Sequence, residues 1–236
     1  MNNLETVNKI KNKLIISVQS AKNEPLYNEN AMNALIDTVV LLGKIDALRL
    51  AGERDIKNTR KKYPDITIIG ITKPDVIPDN YKEIVYITPT IKDAKKIIDS
   101  GADIIAFDGT MRQRPNNENL KDIIDFIHLE NKTAMADIST FEEAKNAFLA
   151  GADIISTTLS GYTKETSSMP DTPDFNLLEK CTKELKCPVI SEGKIWNKED
   201  IKKAFDLGAH SVVIGSAVTR PHKIIEKFKE GLINGN

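Results

Sequence analysis

Cysteine is nearly absent from this sequence: Cys181 and Cys187 are the only two in 236 residues. One falls in a helical pattern and the other just before Pro188, which excludes a disulfide scaffold or a zinc framework and fits reduced, buried thiols of a cytoplasmic protein. Charge of one sign is not in excess either, with 33 Lys and Arg against 34 Asp and Glu. Neither nucleic acid nor an anionic membrane would find an electrostatic footprint here, although a small anion needs only local positive charge. No apolar run approaches membrane-spanning length. The opening MNNLETVNKIKNKLIISVQS has Glu5 early and polar residues directly after a short apolar run, unlike a signal peptide. Histidine is scarce: His128 lies in a helical pattern, His210 precedes a strand-like run and His222 follows Arg220 and Pro221. None sits at a strand end beside two other ligands, so no metal site is expected.

What the chain does have is a regular alternation. Runs rich in Ile, Val and Ala occupy 13–19, 46–52, 66–73, 84–90, 103–109, 133–139, 153–159, 188–194 and 211–217. Most are followed by a segment with apolar residues at helical spacing, such as IKDAKKIIDSG or TFEEAKNAFLAG. Strand alternating with helix implies parallel strands joined by crossovers, and near-continuous apolar strands imply that both faces are covered. Nine runs are one too many for an eight-stranded closed barrel. Between Lys73 and Glu83 lies PDVIPDNYKE, too short and proline-rich for a crossover helix. The run IVYITPT is therefore read as an extended excursion after the third strand, leading into a helix that starts near Thr90. An internal repeat supports eight: GKIDALRL, GADIIAFD, GADIISTT and GAHSVVIG each place a glycine at a helix end, then a short link, then a strand. The expectation is a single (β/α)8 barrel over residues 1–236. The competing open doubly wound sheet would want a glycine-rich dinucleotide fingerprint, which the first strand-to-helix turn, SVQSAKNEPLYNEN, lacks.

In such a barrel the loops after the strands carry function. The residues closing the strands are Gln19, Arg49, Lys73, Asp108, Asp137, the Thr157 to Gly161 run, Glu192 and the Gly215–Ser216 step. In the stretch IIGITKPD, Lys73 would emerge at the barrel mouth and Pro74 would turn the chain away so that the ammonium stays there. The loops after strands seven and eight, SEGKIWN and IGSAVTRPHK, offer Gly193, Lys194, Gly215, Ser216 and Arg220 to a phosphate. Glycine lets the backbone approach an oxyanion, and Arg220 could clamp it bidentately. A model lysine titrates at about 10.4, so a neutral amine at pH 7 to 8 would need roughly 4 kcal/mol from its surroundings. A nearby glutamate works against that. Lys73 and Glu192 therefore suit a division of labour, one giving a proton and the other accepting it, which on opposite faces of one carbon inverts a stereocentre. Lys73 as a Schiff-base former is the rival.

Several stretches together resemble a known family. VQS followed by NEPL, then ALRLAG, IIGITK, YITPT, DGTMRQRPNNEN, AMADIST, STTLSGYT, PVISEGKI and TRP are similar to the bacterial N-acetylmannosamine-6-phosphate 2-epimerases of sialic acid catabolism. The resemblance runs nearly end to end. It implies a phosphate-binding (β/α)8 barrel that converts N-acetylmannosamine 6-phosphate to N-acetylglucosamine 6-phosphate without a nicotinamide or metal cofactor. It places Lys73 and Glu192 on the catalytic lysine and glutamate. Gln19, Arg49 and Asp137 fall on substrate-contacting positions and Arg220 on a phosphate contact. Two residues depart from the family pattern: Lys194, where arginine is common, and Ser216, where a second glycine is common. The partner implied is a small phosphosugar, and a homodimer is compatible with the chain.

Other conspicuous residues have plainer expectations. The RKK at 60–62 reads as a solvated helix end, and Trp196 as packing under a loop. In MRQRPNNEN the asparagines before Leu120 read as a helix cap, while Arg112 and Arg114 leave a lid over the substrate open.

Overall fold

The computed structural model describes residues 3–233. Eight strands close into one barrel in chain order: β1 (Leu14–Val18), β2 (Ala47–Ala51), β3 (Thr67–Ile71), β4 (Ile104–Asp108), β5 (Thr133–Asp137), β6 (Ile154–Ser156), β7 (Val189–Glu192) and β8 (Ser211–Ile214). Every neighbouring pair is parallel, including β8 with β1. The helices are α1 (Asn3–Lys9), α2 (Glu29–Asp37), α3 (Glu53–Lys62), α4 (Ile91–Asp99), α5 (Leu120–Leu129), α6 (Phe141–Ala150), α7 (Phe175–Glu184), α8 (Lys198–Asp206), α9 (Ser216–Thr219) and α10 (Pro221–Ile233). Side-chain caps set several helix starts: Asn28, Thr90, Asp174 and Asn197 accept first-turn amides, and Thr140 forms a reciprocal box with Glu143. Among the described residues no helix is long and apolar enough to cross a membrane.

The two-residue period of a strand divides the core in two. Ile15, Ala47, Ile69, Ile71, Ile104 and Ala106 point inward with Met135, Ile154, Ile190 and Val213, while Ile16, Leu48, Ile68, Ile105 and Val212 face the helices. Val7 and Ile10 join the inner cluster, so α1 and the turn after it close the bottom of the barrel, an element the sequence reading did not identify. Continuing the same parity one step beyond β3 carries Lys73 inward after Ile69 and Ile71.

The segment 84–90 forms no strand of its own, as expected, and Thr90 caps α4. It has a wedge role instead. The β3–β4 register runs only from Ile69↔Ile104 to Gly70↔Ile105. Beyond it, Thr88 exchanges hydrogen bonds with Thr72 (3.1 and 3.0 Å) and the Asp108 amide donates to the Ile87 carbonyl (3.1 Å). The excursion thus returns into the gap between the two strands at the barrel mouth. Thr88 holds φ +42° there while fully buried, a costly conformation for a β-branched residue that only a fixed surrounding can maintain.

At the opposite face the repeated glycine motif acquires a physical meaning. Gly101, Gly151 and Gly208 leave their helices at φ +91° to +107°, where a side chain would be strained. Two residues on, the Asp103 carboxylate accepts the Ile68 amide (2.9 Å) and Asp153 accepts the Ala134 amide (2.7 Å), each reaching back to the preceding strand. Each is met by a side chain from the helix before that strand: Arg60 of α3 on Asp103 and His128 of α5 on Asp153. Arg60 is therefore not solvated, contrary to the expectation for the 60–62 run. It also donates to the carbonyls of Pro64, Ile66 and Gly101, tying two turns together, and Lys61 and Lys62 alone remain at the surface. Asn119 differs too. It occupies the cap position of α5, but its side-chain amide donates to Asp122 (3.2 Å) instead of accepting a first-turn amide.

Replacing Arg60 with Ala leaves three carbonyls and a carboxylate short of a donor. Urea unfolding is expected to show a loss of about 2 kcal/mol, with no change at the barrel mouth.

Candidate active site

The barrel mouth opens into a cavity of about 520 Å3. Ser17 and Gln19 reach it from β1, Lys73 from β3, Tyr86 and Ile87 from the wedge, and Thr158, Leu159 and Tyr162 from the loop after β6. The remaining wall comes from the ends of β7 and β8 and from α10. Glu192 enters it with Gly193, Lys194 and Trp196, and Gly215, Ser216 and Arg220 enter it with Lys223 and Lys227. Lys73 and Glu192 therefore face one cavity. Their strands, third and seventh of eight, stand on opposite sides of the ring.

Beneath this cavity lies a buried ion cluster. Arg49, 1% exposed, crosses the barrel interior and forks onto Asp137, which has no exposed surface, with Nη1 and Nη2 donating to the two carboxylate oxygens at 3.0 and 2.5 Å. The same Nη1 donates to Glu192 Oε2 at 2.5 Å and to Thr158 Oγ1 at 3.2 Å. Thr158 in turn donates to Asp137 Oδ1 (2.8 Å). Thr157 fixes the Glu192 backbone, its hydroxyl donating to the Glu192 carbonyl at 3.0 Å and accepting from the Glu192 amide at 3.1 Å. Directly after Glu192 the chain turns through Gly193 and Lys194, both at positive φ.

The electrostatics follow from this placement. Burial alone would weaken the Arg49 cation, but Asp137 and then Glu192 outweigh it and hold the guanidinium above its ordinary range. Glu192 is pushed up, first by burial and then by Asp137, against the pull of Arg49. Lys73 stands deep in the mouth with its side chain exposed to the open cavity, and it makes no hydrogen bond or salt bridge among the described residues. Burial and then the Arg49 charge bring it down to about 8, against the support of Glu192 and Asp137. A carboxylate raised and an amine lowered toward neutral pH can each take or give a proton there.

Of the residues anticipated from sequence, Lys73, Glu192, Gln19, Gly193, Lys194, Gly215, Ser216 and Arg220 all border the cavity. Arg49 and Asp137 do not: they lie one layer lower and hold Glu192 from below. Gln19 donates to Ser17 Oγ (2.7 Å). Arg220 is engaged by Glu24. Lys194 bends toward the loop after β6, where its ammonium donates to the Pro170 carbonyl (2.9 Å) and sits over the Tyr162 ring. Trp196 borders the cavity and does not simply pack beneath its loop. Arg112 and Arg114 are not a lid. Both turn inward, Arg112 onto the Asp108 carboxylate (2.6 Å) and Arg114 onto the Asp108 carbonyl. Arg112 also donates to the carbonyls of Tyr81 and Lys82 and so fastens the 74–90 excursion to β4. Tyr86, Tyr162 and Lys223 were missed by the sequence reading. Lys223 carried a signal, since it follows Arg220 by three residues and lies one helical turn before Lys227 on α10.

Comparison with known proteins shows the family and the fold. A family model described as "Putative N-acetylmannosamine-6-phosphate epimerase" matches residues 32–234. Two relatives named "Putative N-acetylmannosamine-6-phosphate 2-epimerase" match over nearly their whole length. The one from Clostridioides difficile is 42% identical, covering 96% of this chain and 98% of its own, and one from Clostridium perfringens is 43% identical, covering 94% and 97%. The chain belongs to the N-acetylmannosamine-6-phosphate epimerase family. Within that family, the solved N-acetylmannosamine-6-phosphate 2-epimerase from Clostridium perfringens superposes with a TM-score of 0.87 at 41% identity, covering 95% of each chain. The eight-stranded barrel expected from the strand count is thus the fold of this family member and of a solved relative.

The two cysteines of this family member differ in depth: Cys181 is buried and Cys187 half-buried. Burial raises the Cys181 thiol to about 12 and the Cys187 thiol to about 11, and both are free.

The ion cluster makes a titration testable. Glu192→Gln removes the larger of the two anionic supports of the Lys73 ammonium, so its pKa is expected to fall below the value of about 8 in the parent. Carbon-13 NMR of dimethylated lysines measures it, and an unchanged value would show that the two charges do not interact.

Proposed function

We propose that the protein is an isomerase that inverts C2 of N-acetylmannosamine 6-phosphate to give N-acetylglucosamine 6-phosphate. The observation that carries this reading is the convergence of Lys73 and Glu192 on one cavity from opposite sides of the barrel, next to the glycines and arginine of the last two strand ends. Family membership supports the choice of substrate. In a closed pyranose the hydrogen on C2 is hardly acidic, whereas in the open-chain aldehyde it lies α to a carbonyl and its loss gives an enolate. One of the two groups takes that proton on one face, the other returns a proton on the opposite face, and the C2 configuration is reversed. The overall change is redox neutral, with one proton removed from C2 and one returned to it.

In this scheme Gln19 and the Lys73 ammonium are the donors placed to stabilise the developing oxyanion. Arg49 and Asp137 act through Glu192, holding its carboxylate at the floor of the cavity. Gly193, Gly215, Ser216 and Arg220 take the phosphate, with Lys194 lending its backbone amide and its side chain committed to Pro170. Every group used comes from one chain, and a homodimer is compatible with this. The two free thiols support a cytoplasmic location.

Proton NMR of N-acetylmannosamine 6-phosphate with the purified protein in deuterated water tests the reading. The expected result is conversion to the 2-epimer with deuterium at C2. Lys73→Met and Glu192→Gln should each lower kcat by roughly 10²- to 10⁴-fold. A wild-type protein that leaves the substrate unchanged, or a borohydride-trapped adduct at Lys73, would instead select a binding protein or a Schiff-base enzyme.

A further inference from the structure

The motif NEPL, which follows β1, takes no part in the chemistry above, yet its Glu24 is one of the most heavily engaged carboxylates at the barrel mouth. One oxygen, Oε2, accepts from Ser20 Oγ (3.0 Å) and from the Ala21 amide (3.1 Å), so the loop after β1 fixes the carboxylate in place. The other, Oε1, accepts from Arg220 Nη2, with His222 Nε2 at 3.9 Å on the same oxygen. Glu24 thereby bridges the loops after β1 and β8, the two strands that close the barrel. A third link at this seam is the Thr219 hydroxyl, which donates to the Ser17 carbonyl (2.9 Å).

Two observations give this bridge a direction. Arg220 borders the cavity and Glu24 does not, so the carboxylate stands behind the guanidinium as seen from a bound ligand. Arg220 Nε is moreover buried without any hydrogen-bond partner among the described residues, so the side chain retains donor capacity that Glu24 leaves unused. Burial pushes the Arg220 cation down from its ordinary range, and Glu24 is the carboxylate paired with it.

We propose that Glu24 is a positioning residue for phosphate recognition: it holds Arg220 from behind so that the free edge of the guanidinium faces the phosphate of the sugar. This rests on the phosphosugar reading above. A flexible arginine loses rotamer freedom when it clamps an anion, and a carboxylate that fixes it beforehand removes that cost from binding. The same carboxylate leaves the seam with little net charge. Phosphate is then selected by directed hydrogen bonds and not by a general positive field, and the role should be felt in binding and not in proton transfer.

The test compares the wild type with Glu24→Gln and Glu24→Ala at fixed pH and ionic strength, using N-acetylmannosamine 6-phosphate as substrate and inorganic phosphate as competitive inhibitor. The KM and the phosphate inhibition constant are expected to rise together, roughly tenfold in Glu24→Ala and less in Glu24→Gln, with kcat changed by no more than about twofold. An unchanged KM, a KM that falls because an unshared Arg220 binds phosphate harder, or a loss confined to kcat overturns the proposal. Calorimetric titration of inorganic phosphate into the same proteins reads the role of Glu24 even if the wild type turns over no sugar: weaker binding in the variants supports it and equal binding overturns it. If circular dichroism shows the Glu24 variants unfolded, Ser20→Ala takes their place. A smaller weakening of phosphate binding then supports the role, and none overturns it.

Discussion

The buried guanidinium of Arg49 is the interaction on which the cavity depends. A cation with 1% of its surface exposed is tolerable only when paired, because its desolvation costs several kcal/mol. Here the pairing spans the barrel, from β2 to Asp137 on β5 and Glu192 on β7. That span fixes the carboxylate of Glu192 in height and direction, and it brings a positive charge under Lys73. With Lys73 protonated, two cations face two carboxylates and the cluster is balanced. Removing the Lys73 proton leaves an excess of negative charge, which raises the proton affinity of Glu192. The titrations of the two cavity groups are therefore linked, and a proton lost by one is more readily gained by the other.

Much of this arrangement was legible in the chain. Strand count, helix spacing and the shortness of PDVIPDNYKE led to eight parallel strands, and the residues closing them named Lys73 and Glu192. Depth was not legible, because it is set by the stagger between strands. Arg49 pairs with Ile69, four residues before Lys73: it sits midway along β2 and does not close it, while Lys73 lies two residues past the end of β3, so the two end up in different layers. Asp137 pairs with Asp108 and Ser156 and is likewise sealed below the floor. Strand ends read one at a time look equivalent. Only the register separates those that border the cavity from those that lie beneath it.

The repeat shows the converse. Its glycines read as helix ends, but their function depends on the aspartates two residues later, which capture an amide of the preceding strand and a side chain, Arg60 or His128, of the helix before that strand. Arg60 looked like part of a basic run because its partners, Asp103 and the Gly101, Pro64 and Ile66 carbonyls, come from separate turns. In the first copy the spacing differs. Gly43 keeps a right-handed φ of −75° and Lys44 takes the left-handed turn, while in the last copy His210 stands at the aspartate position and meets the Val7 carbonyl. On the face opposite the cavity these contacts tie strand starts to neighbouring elements, which suits a role in stability.

At the mouth, three strand-end carboxylates point inward, and they are not interchangeable. Asp108 has no exposed surface and is held by Arg112 and Thr110; Asp137 has none and is held by Arg49. Burial raises the pKa of Asp108, yet no ligand in the cavity can reach it. Its charge is spent on Arg112, which in turn grips the Tyr81 and Lys82 carbonyls and keeps the wedge, with Tyr86 and Ile87, against the cavity wall. Glu192 alone keeps 13% of its side-chain surface open. A carboxylate suited to exchanging a proton with a ligand must both feel a raised pKa and open onto the cavity, and among these three only Glu192 meets both conditions. The residues that resemble it most in charge and position serve to keep the backbone and Arg49 where Glu192 needs them.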